Sequence, residues 1–445
     1  MLLRYILCAL IAALLMAGTA RAQAVPYAAP TVAVSADTLP DTTPKFDAAL
    51  ATQAYLAQMH GAARARSDAY FEGGYWLRLV DVLYVVILSG LLLWLHIAAG
   101  MRDWAQNRTR SRTGQTALVI LLYAVIAAIL IFPLAVYQDY FREHAYGLSN
   151  QSIWQWLGDF AIAFGVGLVA ALVLGSVIYA VIRRAPYNWW IWAAGIVIAF
   201  QILTAAIYPV FIAPLFNHYA PLPDGALKND ILSLARANGV PGDKVFVMDA
   251  SRQSPRLSAN VSGFLGTTRI TLNDNLLRHA THDEIMAVVG HEMGHYVLDH
   301  TTRLLILMGM VIFLGFAFVH WGFVVLTDFF GGNWDMRSIE DPAGLPLLVA
   351  LAAIFLLLMT PVTNTIVRTT EIQADMFGVN AVRKPDAFAS VTLKLAAYRK
   401  LDPTPLEEFI FYDHPSGRSR IAAMMRWKAE HLNDPDIRYG AVSPQ

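Results

Sequence analysis

Residues 281–300 read THDEIMAVVGHEMGHYVLDH, and the rest of the architecture depends on this stretch and its neighbours. Thr281 with Glu284 has the spacing of a capping box, so a helix opens here and is expected to run through His300. Inside it, HEMGH puts His291 and His295 four residues apart on one helix face, where both imidazoles can reach a single metal ion. Glu292 lies beside them, placed to take a proton from an attacking water. Zinc suits such donors: it takes two imidazoles and a carboxylate and keeps a fourth position open. His300 closes the predicted helix, where an imidazole meets the negative end of the dipole; a ligand role is its other reading. A long apolar run begins at residue 303, so the metal motif stands at the foot of a membrane span.

The whole composition agrees. Of 445 residues, 56% are hydrophobic and only 15% charged, with a mean hydropathy of +0.46, too apolar for an ordinary soluble enzyme. Net charge is zero, so no basic surface recommends nucleic acid as a partner. The sole cysteine is Cys8, which excludes disulfides within the chain and thiolate metal sites, leaving His, Asp and Glu to hold any metal. Apolar runs at 79–100, 115–137, 157–182, 189–212, 303–329 and 345–368 are each long enough to cross a hydrocarbon core of roughly 30 Å. Trp154, Trp156, Tyr187, Trp189 and Trp190 stand at their ends, as interfacial aromatics do.

Upstream, Arg4, the apolar residues 5–17 and Ala20-Arg21-Ala22 read as a signal peptide over 1–22, either cut before Gln23 or kept as an anchor. Residues 23–76 form an N-terminal extramembrane segment with a helix expected at 44–68, and 77–212 a four-helix membrane region. Residues 213–301 begin with a Pro-rich turn, APLFNHYAPLPDG (213–225), and continue with a helical pattern to about Asn238, then KVFVMD, SANVSGFLG and TRITLND, which alternate like short strands. Two membrane helices at 302–368 separate this part from a mainly helical C-terminal part, 369–445, broken at Asp402-Pro403 and His414-Pro415.

Two imidazoles need a third ligand. The metzincin spacing would put a histidine where Thr301 stands. RTTEIQADMFG, just past the last apolar run, offers Glu371 and Asp375 on one helix face. Glu371 could bind the metal while Asp375 orients a ligand histidine through its other ring nitrogen. Two ordinary acids on a solvated helix are the alternative.

With these residues in hand, the chain is identified as resembling a family. HEMGHYVLDH (291–300), EIQAD (371–375) and DHPSGRSRI (413–421) are similar to the type I CAAX prenyl proteases, membrane zinc metallopeptidases, and the likeness marks a bacterial member. FREHAYGLSNQSIWQWLGD (141–159), YPVFIAPLFNHYAPLPDGALKNDI (208–231) and SANVSGFLGTTRITLNDNLL (258–277) extend the resemblance over residues 60–430. It implies zinc held by His291, His295 and Glu371, Glu292 as catalytic base, and Asp375 as an outer acid. It further implies that Asn260 contacts substrate backbone and that His414 and Arg420 stand near the transition-state oxygen. A large water-filled chamber among the helices is implied as well. The strand motif SPRLSANVSG departs from the family's usual serine- and histidine-rich version.

The expected fold is mainly α: a polytopic membrane helical bundle with a zincin-like α+β metallopeptidase unit split by two membrane helices. The expected function is zinc-dependent hydrolysis of peptide bonds in a peptide or protein substrate, by a multi-pass protein of the cell inner membrane. Two rivals share the motif: a quality-control metalloprotease of the heat-shock branch, and a non-catalytic metal-binding scaffold or transporter, which has no use for Glu292. The signal peptide, with Arg102, Arg108, Arg110, Arg112, Arg183 and Arg184 in alternate loops, points to a periplasmic catalytic unit.

Overall fold

The computed structural model describes residues 46–241, 244–262 and 268–437; the stretch 1–22 read as a signal peptide, with Cys8, and part of the loop after SANVS lie outside the described residues. The chain opens with α1 (Ala48–Gln58), α2 (Gly61–Trp94), α3 (Ile97–Arg108), α4 (Arg112–Val136), α5 (Ile153–Arg184) and α6 (Trp189–Ile207). A small unit comes next: β1 (Tyr219–Pro221), α7 (Ala226–Ala237), β2 (Val245–Met248), β3 (Ala259–Ser262), β4 (Arg269–Asn273) and α8 (His282–Val297). Then come α9 (His300–Phe330), α10 (Leu345–Val382), α11 (Pro385–Leu395), α12 (Pro405–Phe411) and α13 (Gly417–Glu430).

Six of these helices are long and apolar enough to cross a membrane: α2, α4 with its continuation to Ala145, α5, α6 with its continuation to Leu215, α9 and α10. Their outward faces leave Leu83, Ile87, Val169, Val173, Leu314 and Trp321 exposed, which a lipid phase would cover. Their inward faces build one core from Leu92, Tyr123, Ile182, Trp189 and Leu351.

Helix boundaries depart from expectation at several places. The segment 44–68 is not one helix: α1 stops before Met59, and α2 starts at Gly61 and runs unbroken to Trp94. The span expected at 79–100 breaks at His96, whose φ of 58° puts it in the left-handed region. The capping-box helix ends at Val297, not His300; Asp299, at φ 49°, turns the chain and caps α9 through Thr302 N. The capping box itself forms as read: Thr281 Oγ1 accepts from Glu284 N, and Glu284 Oε2 accepts from Thr281 N at 2.6 Å.

The four strands lie in the order β1-β2-β4-β3, with β2 parallel to β4 and both outer strands antiparallel to their neighbours. Strand β3 ends the sheet, so its outer edge carries no strand among the described residues. The loop before it is fastened to the membrane helices. Arg256 pairs with Glu143 at 2.7 Å, Arg252 with Asp159 at 3.2 Å, and Gln253 Nε2 donates to Asp159 at 2.9 Å. A cavity of about 680 Å³ lies behind this loop, among α2, α4 and α5, with Arg78, Asp81, Gln138 and Asp139 facing Phe132, Trp156 and Phe160. A turn of π-helix at Tyr137–Phe141 carries Gln138 and Asp139 of this lining.

The N-terminal segment is not separate from the C-terminal unit. Ala51, Tyr55 and Leu56 of α1 share a core with Met424, Met425 and Trp427 of α13. Tyr55 Oη donates to Asp386, which also takes the buried Lys428 at 2.7 Å.

Candidate metal centre

Helices α8 and α10 bring the two halves of the site together because their contact is made of glycines. A Cβ on Gly378 would stand 2.8 Å from His291 N, and one on Gly294 would stand 3.0 Å from Ala374 Cα. Real side chains do not approach backbone so closely, so only glycine permits this spacing. Gly290-x-x-x-Gly294 faces Ala374-x-x-x-Gly378, a small-residue pattern that the sequence contains and that motif reading passes over.

That close approach converges three donors. His291 Nε2 and His295 Nε2 are 3.2 Å apart; His291 Nε2 lies 3.2 Å from Glu371 Oε2, and His295 Nε2 3.3 Å from Glu371 Oε1. Metal bonds of about 2.0–2.1 Å in a tetrahedron put ligand atoms roughly 3.3–3.4 Å apart, so the donors stand at the edges of a zinc-sized site. Glu371 Oε2 is buried and aligned with no hydrogen-bond donor, although His291 Nε2 and His414 Nε2 (3.4 Å) are near. An orphaned carboxylate oxygen facing two imidazole nitrogens is satisfied by a cation. The residues therefore fit zinc.

The surroundings hold these donors in place. Asp375 Oδ1 accepts from His291 Nδ1 at 2.8 Å, which leaves Nε2 for the metal. Arg420 grips Asp375 from behind with Nε at 2.8 Å and with Nη2, so its guanidinium lies on the outer acid. Burial pushes the His291 imidazole down, but the carboxylates of Asp375 and Glu371 beside it more than reverse this and lift the pKa to about 10. The cluster thus demands positive charge. Burial raises the Glu292 carboxyl above its ordinary range, against the pull of His291 and His295, which suits a group that must take up a proton.

His414 turns Nδ1 to Asp413 at 2.9 Å and Nε2 toward Glu371 at 3.4 Å, beside the cluster. Asn260 is exposed on β3, paired in register with Thr271, and β3 lies against α8. His300 departs from both readings of it. It begins α9 and does not end α8, and it is not among the three residues whose donor atoms converge. Its Nδ1 instead meets His295 Nδ1 at 3.0 Å. Gln373 and Arg303, which adjoin it, carry no motif in the sequence that would single them out.

Comparison with known proteins gives concordant results. Residues 221–428 match the model of peptidase family M48, and 52–218 match the CAAX prenyl protease N-terminal region, described as five membrane helices. Four of the six candidate spans fall within 52–218. The chain is 28% identical over 342 residues to an uncharacterized metalloprotease, YhfN, of Bacillus subtilis, covering 76% of this chain and 79% of that one. It is 32% identical over 312 residues to a CAAX prenyl protease 1 homolog of Arabidopsis thaliana, covering 66% and 69% respectively. The crystal structure of S. mikatae Ste24p superposes with a TM-score of 0.70 at 23% identity, over 85% of this chain and 94% of that one, a likeness of fold.

Proposed function

The chain belongs to peptidase family M48, in the branch of the CAAX prenyl proteases, and is an integral-membrane metalloprotease; from that premise we propose a zinc endopeptidase worked by His291, Glu292, His295 and Glu371. The observation that carries this reading is the convergence of two imidazole nitrogens and an orphaned buried carboxylate at tetrahedral spacing, with Glu292 adjoining. Zinc bound there supplies a Lewis acid for the scissile carbonyl and brings the pKa of the attacking water to about 7.

The chain's own residues do the rest. Glu292 takes the proton of the water and gives it to the departing amine. His414, whose Nε2 lies 3.4 Å from Glu371, donates toward the developing oxyanion. Asp375, steadied by Arg420, keeps His291 in the tautomer that offers Nε2. An extended peptide or protein segment lies along the free edge of β3, where Asn260 meets its backbone. In this reading the protein sits in the cell inner membrane, guided there by the signal peptide at 1–22, with the catalytic unit on the exported side.

The test is metal content beside peptidase activity in purified full-length protein. Glu292→Gln should keep its zinc and lose at least about 10²-fold in rate, since general-base removal costs that much or more. Glu371→Ala should lose the zinc itself. Wild-type cleavage by Glu292→Gln, or full zinc in Glu371→Ala, would overturn the assignment.

A further inference from the structure

His291 has the partner expected of a metal-binding histidine, a carboxylate on its distal nitrogen. His295 has none. Its Nδ1 faces another imidazole, that of His300, which is buried with 1% of its surface exposed. Two ring nitrogens 3.0 Å apart share a single hydrogen, and the atoms beyond His300 decide whose it is.

Arg303 sets the direction. Its guanidinium only donates, so the Gln373 atom it meets at 2.8 Å is the amide oxygen, Oε1. That same oxygen stands 3.2 Å from His300 Nε2, which must then carry the hydrogen. His300 Nδ1 is left as a lone pair, and His295 Nδ1 supplies the hydrogen between the rings. His295 Nε2 is consequently bare and faces the cluster. Reversing any one of these bonds would put a hydrogen on His295 Nε2 and close it to a cation.

We propose that Arg303, Gln373 and His300 form a positioning relay that fixes the tautomer and ring orientation of His295 for metal binding, as Asp375 and Arg420 do for His291. The inference rests on His295 being a zinc ligand. Each ligand histidine is then set by a chain of side chains ending on an arginine. The His295 chain bridges α9 and α10, because His300 and Arg303 stand at the start of α9 and Gln373 two residues beyond Glu371. The metal centre thereby fastens together the two helices that split the catalytic unit.

The test is zinc affinity by chelator competition on detergent-purified full-length protein, beside the melting temperature of the metal-free form. His300→Leu should weaken zinc 10–100-fold, the usual loss for an outer partner of a ligand. His300→Asn, which sets an acceptor oxygen where Nδ1 stands, should stay near wild type. Zinc affinity in His300→Leu equal to wild type, or in His300→Asn as poor as in His300→Leu, would overturn the relay. Should His300→Leu fail to fold, Gln373 decides: Gln373→Met should weaken zinc and Gln373→Glu should not, and equal affinities would overturn it. Glu371→Ala separates the two levels. If it loses zinc while His300→Leu binds normally, the relay alone fails; if it keeps zinc, the ligand set fails first.

Discussion

Asp375 binds His291 with one oxygen and turns both on Arg420, and this makes its charge, more than its shape, the useful property. A buried carboxylate between an imidazole and a guanidinium raises the basicity of the ligand while its own charge stays compensated. Asp375→Asn keeps the volume and removes the charge, so Arg420 loses its counter-ion and His291 its strong acceptor. Zinc affinity should fall 10–100-fold while binding stays measurable, in contrast to Glu371→Ala. Metal titration of the two variants side by side checks this; equal loss in both would make Asp375 a ligand. At this scale HEMGH can be read directly, because spacing on a helix is geometry. The Glu371/Asp375 pair is legible as a face, but not which acid does what. Arg420 is legible only through resemblance, because nothing local in HPSGRSR says that its side chain reaches α10.

The contact between α8 and α10 sets every distance in the metal cluster, and it depends on three glycines. Gly378→Ala would drive a Cβ into His291 N and Gly290 C, which belong to backbone and cannot swing aside. The helices must part, at a cost of about 1–3 kcal/mol of the kind overpacking incurs. A small displacement at Gly378 also moves His291 against Glu371 and Asp375. We expect a lower melting temperature and reduced zinc affinity in the same variant; unchanged zinc binding with a lowered melting temperature would show that the cluster tolerates the shift. Strands β2, β3 and β4, the capping box and the spans are legible in the sequence because hydrophobic period and cap chemistry are local, whereas β1 lies in APLFNHYAPLPDG, which reads as a Pro-rich turn. The ends of α2 and α8 are not, because His96 and Asp299 turn the chain with positive φ where no glycine or proline marks a stop. Hydropathy also ends the last span at 368, whereas α10 runs on through the site to Val382, since polarity there reports the environment and not a break in the helix.

The molecule as a whole has two ends, and the groups gathered at each bear on which one faces the cytoplasm. At one end α2 begins: Ser67 Oγ donates to Ala396 O at 2.6 Å, and α1 is packed into the catalytic unit. The α4–α5 connection joins the same end through Glu143 and Asp159, and so do the start of α9 and the end of α10. At the opposite end Arg102, almost wholly buried, pairs with Asp103, Asp335 and Asp341, and Arg112 meets Glu340 at 3.6 Å. The loops carrying Arg108, Arg110, Arg183, Arg184 and Arg337 collect there too, whereas the short loop at 138–156 on the catalytic side offers only Arg142. The six spans alternate between these ends without a re-entrant turn among the described residues. A signal peptide that exports the segment before α2 therefore carries the catalytic unit across with it, and the arginine bias of the short loops favours the same orientation. A reporter that is active only after export, fused after Gln445, should be active, and one that works only in the cytoplasm should stay silent. The reverse pattern would mean that residues 1–22 do not export the segment before α2, and the metal centre would then open to the cytoplasm.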